Sequence, residues 1–231
     1  MARRVLVMGA AGQLGRQVCG RFASSSWRLI AADVVAAGGA DLALGGLGAA
    51  AALEALQEKL RGERLDAVVN VAGGFAMGSA QDAEVLDNTK AMVESSVYSS
   101  VLAAHLAAKA LKEEGLVILP GAAAAWGPTA WSLPYGLSKV AVHHLVRSLA
   151  AEGSTLPKGA KTIGLAPQIL DTPQNRAAMP DADRSTWASL EEVAEQIERW
   201  CADPQLVQSG QVYLIDKAPG QPAGFEAKDP L

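Results

Sequence analysis

The chain has 231 residues, half of them hydrophobic, with a formal net charge of −4. That supplies one core of ordinary size, and the acidic balance gives no electrostatic reason to expect a nucleic-acid partner. No apolar stretch approaches the roughly 18 residues of a membrane span, so no membrane partner is expected.

The opening "MARRVLVMG" carries two arginines, but its apolar run stops at Gly9, too early for a signal peptide. It reads as the first buried strand (residues 3–9) of a cytosolic protein. A helix is predicted from "GQLGRQVCGRFASS", a strand over 27–33, a short strand in "DLAL" (41–44) and an amphipathic helix over 49–62. Strand "LDAVVNVAGG" (65–74) follows, then a long helix over 83–114 and a strand over 116–121. The second half predicts a helix over 135–153, a strand over 161–167, a helix over 189–203 and a last strand over 211–216. Strands without polar alternation, separated by helices, indicate an α/β fold. The expected form is a single-domain, Rossmann-type, doubly wound parallel sheet of about seven strands flanked by helices.

One domain spans residues 1–231, with 1–115 mainly for cofactor binding, 116–215 for catalysis and a substrate lid, and 216–231 as loop or tail. Cys19 and Cys201 lie far apart and read as reduced packing residues. His105, His143 and His144 have no partner at zinc-motif spacing, so no metal is expected.

"VLVMGAAGQLGRQV" sets Gly9, Gly12 and Gly15 between the first strand and the first helix. A glycine turn there lets a pyrophosphate approach the backbone, and the helix N-terminus offers it unpaired N–H groups. Gly9, Gly12, Gln13, Leu14 and Gly15 are therefore candidate cofactor contacts; a glycine-rich turn without a ligand is the plain alternative. Asp33 ends the second strand 24 residues beyond Gly9. Its carboxylate suits the ribose hydroxyls and would repel a 2′-phosphate, favouring NADH over NADPH; a merely solvated aspartate is the alternative. Ala72, Gly73 and Gly74 are small enough for a cofactor to lie across the sheet.

Tyr135 and Lys139 stand four residues apart at a helix start. A phenol titrates near 10, and an ammonium one turn away is expected to lower that value. The pair thus reads as proton donor and tuning cation, with Lys139 also able to bond the nicotinamide ribose. "AAAA" (122–125) precedes them with no hydroxyl, acid or imidazole.

Glycine turn, terminal Asp, "NVAGG" and YxxxK in that order resemble the short-chain dehydrogenase/reductase family over essentially the whole chain. The family's catalytic serine would fall at Ala122 or Ala123 and is missing, as is its helical asparagine, where the chain reads "VESSVYSS". "ARRVLVMGAAGQLG", "PYGLSKVAVHHLVRSLA" and "LDTPQNRAAMPDAD" are most similar to the quinoid dihydropteridine reductase branch, which lacks that serine. The resemblance implies NADH-dependent reduction of a quinonoid dihydropterin, an acceptor reactive enough to need no donor on a carbonyl. It also implies a homodimer built on the long helices. Thr172 would lie near the carboxamide or pyrophosphate, with a lid after it, or else in an ordinary polar loop. Phe75, Trp126, Trp131 and Trp187 are open between stacking on a pterin and simple packing. Another short-chain reductase, acting on a carbonyl or a different conjugated acceptor, and a non-catalytic dinucleotide sensor remain the rival functions.

Overall fold

The computed structural model describes residues 2–36, 41–45 and 49–230. The expected regions that begin at 1 or end at 231 extend beyond it by those terminal residues. In chain order the elements are β1 (Arg4–Met8), α1 (Gln13–Ala23), β2 (Arg28–Asp33), β3 (Leu42–Ala43), α2 (Ala49–Lys59) and β4 (Leu65–Asn70). Then come α3 (Val85–Met92), a π-helical segment (Val93–Tyr98), α4 (Ser99–Ala110), β5 (Leu111–Pro120) and α5 (Leu133–Ala150). The chain closes with β6 (Lys161–Pro167), α6 (Pro173–Ala178), α7 (Leu190–Ala202), β7 (Val212–Asp216) and β8 (Gly224–Lys228).

Among the described residues these strands make one sheet of eight, ordered β3-β2-β1-β4-β5-β6-β7-β8. All neighbours pair in parallel except β7 with β8. Val5, Val7, Val69 and Ile118 point to one face, where Val18 and Phe22 of α1 and Ile197 and Trp200 of α7 cover them. Leu6, Val68 and Val117 point to the other, under Leu56 of α2, Leu106 of α4 and Val142 and Val146 of α5. Burial on both faces explains why the central strands lack polar alternation. The order reverses between β1 and β4, which leaves a crevice beyond their carboxyl ends.

Besides β4, which ends at Asn70 rather than at Gly74, and α6, which forms where a lid or loop was expected, two elements depart from the sequence reading. The predicted helix over 83–114 ends at Ala110, because Leu111 is fully buried and pairs with Leu65 as the start of β5. That helix also widens into π geometry at its middle. The Ser99 and Ser100 hydroxyls donate to the Ser95 and Ser96 carbonyls, both at 2.6 Å, satisfying acceptors in the widened turn. The second departure is the tail. Residues expected as loop instead include β8, paired antiparallel from Val212↔Lys228 to Asp216↔Gly224. Phe225 meets Trp200 edge-on at 5.4 Å. Glu192 holds the approach to β8, accepting from Lys217 Nζ at 3.0 Å and from the Ala223 amide at 3.1 Å.

Gly15 fixes how closely α1 meets β1: a Cβ there would stand 1.9 Å from the Gly9 carbonyl oxygen, whereas one at Gly20 would meet nothing within 4 Å. Gly15→Ala should therefore lower the urea midpoint, costing on the order of 1–3 kcal/mol. Gly20→Ala should not lower it. Equal behaviour of the two variants in urea denaturation would contradict the close contact.

Candidate active site

The first part of the site is backbone. Gly9 adopts φ +82°, and a Cβ on it would come within 2.4 Å of the Ala72 amide nitrogen. Side chains are thus excluded where the ends of β1 and β4 approach each other. The Gly12 amide donates to the Gly9 carbonyl at 3.1 Å, and α1 starts with no side chain capping its first turn. An uncapped helix start behind a glycine turn fits a dinucleotide's pyrophosphate. Gln13 is exposed at this turn, while the Leu14 side chain packs against the core and leaves its amide as the group on offer.

Asp33 does more than wait for a ribose. Its Oδ2 accepts from the Ala11 amide at 2.8 Å and its Oδ1 from the Val35 amide at 3.0 Å. The carboxylate therefore ties the end of β2 to the glycine turn, and each oxygen keeps a lone pair for a ligand hydroxyl. Ala72 is fixed by the fully buried Asn70, whose Oδ1 accepts its amide at 3.0 Å while Nδ2 donates to Ser99 and Ser100. Gly73 and Gly74 stay exposed beyond it.

The chemical part stands on α5, with Pro134 inside its first turn. The start of this helix is clamped to the segment after Gly74. Ser132 Oγ donates to the Ala76 carbonyl at 2.6 Å, and the Leu133 amide donates to Gly78 at 2.9 Å. Gly136 lets Thr129 pack close, since a Cβ there would overlap its hydroxyl at 1.8 Å. Lys139 is 5 % exposed. Its Nζ donates to the Pro120 carbonyl at 3.0 Å and lies 5.6 Å from the centroid of the Tyr135 ring.

The expected effect of Lys139 on Tyr135 is not what the free protein has. Burial raises the Tyr135 pKa above 10, and burial brings Lys139 down from 10.5 to about 8. In each case the cause is loss of water around the charged form, and the ammonium lies over the ring of an uncharged phenol.

The structure brings Tyr135, Lys139 and Gly73 together and adds a residue the sequence reading passed over. A Cβ on Gly73 would lie 3.2 Å from Lys139 Nζ and 3.4 Å from Ser96 Oγ. Ser96 is fully buried and its hydroxyl has no partner. It lies in the π-helical segment, within the stretch where the family's asparagine is missing. The paired serines of "VESSVYSS" were the available signal.

The aromatic candidates divide. Trp187 is buried in the core, and Trp126 lies against His143, so both pack. Phe75 and Trp131 are 51 % and 48 % exposed, with ring centroids 5.1 Å and 6.4 Å from Tyr135 and 5.9 Å from each other. Ala122 is buried, and the short turn Ala123–Trp126 brings no hydroxyl to the site. Thr172 caps α6, its hydroxyl accepting from the Asn175 amide at 3.1 Å. It lies just after β6, at the same edge of the sheet, but half-occupied by this structural role.

Among the described residues no three His, Cys, Asp or Glu side chains gather as a metal site, and no helix is long and apolar enough to cross a membrane. A family model described as short chain dehydrogenase matches residues 46–183. The chain is 37 % identical over 204 residues to a dihydropteridine reductase of Dictyostelium discoideum, covering 87 % of this chain and 88 % of that one. Among solved structures it superposes on a short-chain dehydrogenase/reductase from Serratia marcescens with TM-score 0.80 and 22 % identity, covering 93 % and 96 % of the two chains. BdcA, solved in complex with NADPH, gives TM-score 0.77 at 21 % identity over 93 % of each chain.

The burial of Lys139 has a measurable sign. Its folded pKa lies below its unfolded value, so between about pH 8 and 10.5 the unfolded chain holds more protons. Stability referred to this group rises with pH across that window. In urea denaturation from pH 7 to 10, wild type should gain on Lys139→Met as pH climbs. A difference that stays flat would mean the amine titrates normally.

Proposed function

The chain belongs to the short-chain dehydrogenase family, and from that premise we propose that it is an NADH-dependent reductase of quinonoid dihydropterin. The observation that carries this reading is the pair of half-exposed aromatic rings beside Tyr135, together with a turn over 123–126 that carries no hydroxyl. A ketone needs a donor on its oxygen as charge develops. A conjugated, electron-poor heterocycle does not, and its flat ring suits Phe75 and Trp131. The 37 % identity to a dihydropteridine reductase supports the same assignment.

The residues divide the work simply. When bound, the dinucleotide supplies the hydride. Gly9, Gly12, Gln13, Leu14 and Gly15 would hold its pyrophosphate, and Asp33 the adenosine ribose. Ala72, Gly73 and Gly74 leave room for it across the sheet, and Thr172 would border its nicotinamide end. With its pKa raised, Tyr135 keeps its proton at neutral pH and is ready to give it to a ring nitrogen. As the proton leaves, the Lys139 ammonium stabilises the growing phenolate. Lys139 would also hold the nicotinamide ribose, beside the open backbone of Gly73.

The protein is further proposed to work as a homodimer. Exposed Leu86, Tyr98, Val101 and Leu137 place apolar surface on the helices from α3 to α5, which supports pairing through those helices.

Tyr135→Phe should lower kcat by roughly a hundredfold or more, the range of general acid catalysis, with NADH binding intact. Wild type should reduce quinonoid dihydropterin far faster than any ketone in steady-state assays. Ketones winning would point to another short-chain reductase, and no turnover of either to a dinucleotide sensor. Asp33→Ser should shift the NADH/NADPH ratio of kcat/KM towards NADPH by roughly tenfold, as loss of charge-assisted bonds implies. An unchanged ratio would mean another group reads the ribose.

A further inference from the structure

One turn beyond Lys139, α5 carries a third polar side chain on the same face. His143 is fully buried, and both ring nitrogens end on backbone groups of distant segments. Nδ1 lies 2.9 Å from the Pro230 carbonyl oxygen, and the Ala122 amide donates to Nε2 at 3.3 Å. A carbonyl can only accept and an amide can only donate. The imidazole is therefore neutral, with its proton on Nδ1. A second proton would set Nε2–H against an N–H, in a buried place that already faces the Lys139 charge. Burial first, then that charge, lowers the pKa of His143 against the opposing pull of the Pro230 carbonyl.

The surroundings are built around this ring. A Cβ at Gly121 would stand 2.5 Å from His143 Nε2, so only glycine lets the imidazole reach the strand end. Trp126 lies against the ring with centroids 5.1 Å apart, and its indole N–H donates to the Asp229 carbonyl at 2.8 Å. The Asp229 carboxylate is itself taken up by Gln211 Nε2 at 3.0 Å. Residues 229 and 230 are thus tied to the wall of the site, more than eighty residues away in sequence. Lys139 meanwhile grips Pro120, two residues before Ala122. The turn over 120–122 is held from α5 at two points.

We propose that His143 is a positioning residue: by joining Ala122 to Pro230 it holds the end of β5 against Lys139 and makes the C-terminal residues 229–230 a brace for the site. The proposal rests on the reading of the chain as a Tyr135–Lys139 reductase. The residue touches neither substrate nor cofactor in this account. It acts through the strand end that carries the lysine's acceptor.

Three substitutions separate the two bonds. His143→Gln can keep an acceptor for Ala122, His143→Asn a donor for Pro230, and His143→Leu neither. The Leu variant should lose roughly tenfold or more in kcat, with a smaller change in KM for NADH, as expected for a misplaced catalytic group. The Gln and Asn variants, each keeping one of the two bonds, should fall between His143→Leu and wild type. Full kcat in His143→Leu, or full kcat in His143→Gln with the Pro230 bond lost, would overturn the proposal. Nitrogen-15 NMR of the wild-type imidazole decides it even where variants fold poorly. The expected spectrum has Nδ1 protonated and Nε2 bare at neutral pH and through the ordinary histidine pKa. Titration near the ordinary value, or two exchanging tautomers, would overturn the brace. A wild-type chain that binds NADH yet reduces no pterin overturns the reductase reading instead, and the NMR result still stands or falls alone.

Discussion

The Lys139 ammonium is almost wholly shut off from water and makes a hydrogen bond to the Pro120 carbonyl. A cation in such a place costs free energy, which shows as its pKa of about 8. It is retained where three elements converge: the end of β5, the glycines after β4 and the π-helical segment that brings Ser96 alongside. Each of these is shaped to admit the amine rather than to fill the space. Gly73 has no side chain to cover it, and the Ser96 hydroxyl, which has no partner, lies beside the same glycine. Such a group is ready to be stabilised by whatever negative or hydroxyl-bearing partner arrives, a phenolate or a ribose.

Much of this was legible because the signals are local. Gly9, Gly12 and Gly15 were legible as a turn between the first strand and the first helix, whereas the closeness of Gly15 to the Gly9 carbonyl was not. Tyr135 and Lys139 lie one helical turn apart, so any helix there sets them side by side. Asp33 was legible as a strand-ending carboxylate, but not as the acceptor that holds the glycine turn through Ala11. The end of the long helix was not legible. Ala110 and Leu111 suit a helix as well as a strand, and pairing with Leu65 decided the matter. β8 was hidden for a similar reason: its five residues are flanked by prolines and glycines, and they pair with β7 and pack on Trp200, contacts legible only in the fold.

The sequence also predicted a phenol made more acidic by its neighbour, and the structure has one made less acidic by burial. The two are compatible at different points of the reaction. A buried, protonated phenol is the right ground state for a proton donor, and the nearby cation counts only once negative charge develops. The blank alanine turn makes sense beside it. On the proposed reading, with no hydroxyl there to polarise a carbonyl, selection of substrate would fall to the Phe75 and Trp131 rings, which suit a flat acceptor better than a small aliphatic ketone.

The decisive measurement is a crystal structure of the chain with NADH and a pterin analogue that cannot be reduced. The account predicts the analogue lying against the exposed faces of Phe75 and Trp131, its ring within hydrogen-bonding reach of the Tyr135 hydroxyl, and no other side-chain hydroxyl against it. A Tyr135 hydroxyl turned away from the stacked rings, or another residue bonded to the acceptor in the place of the absent serine, would contradict it.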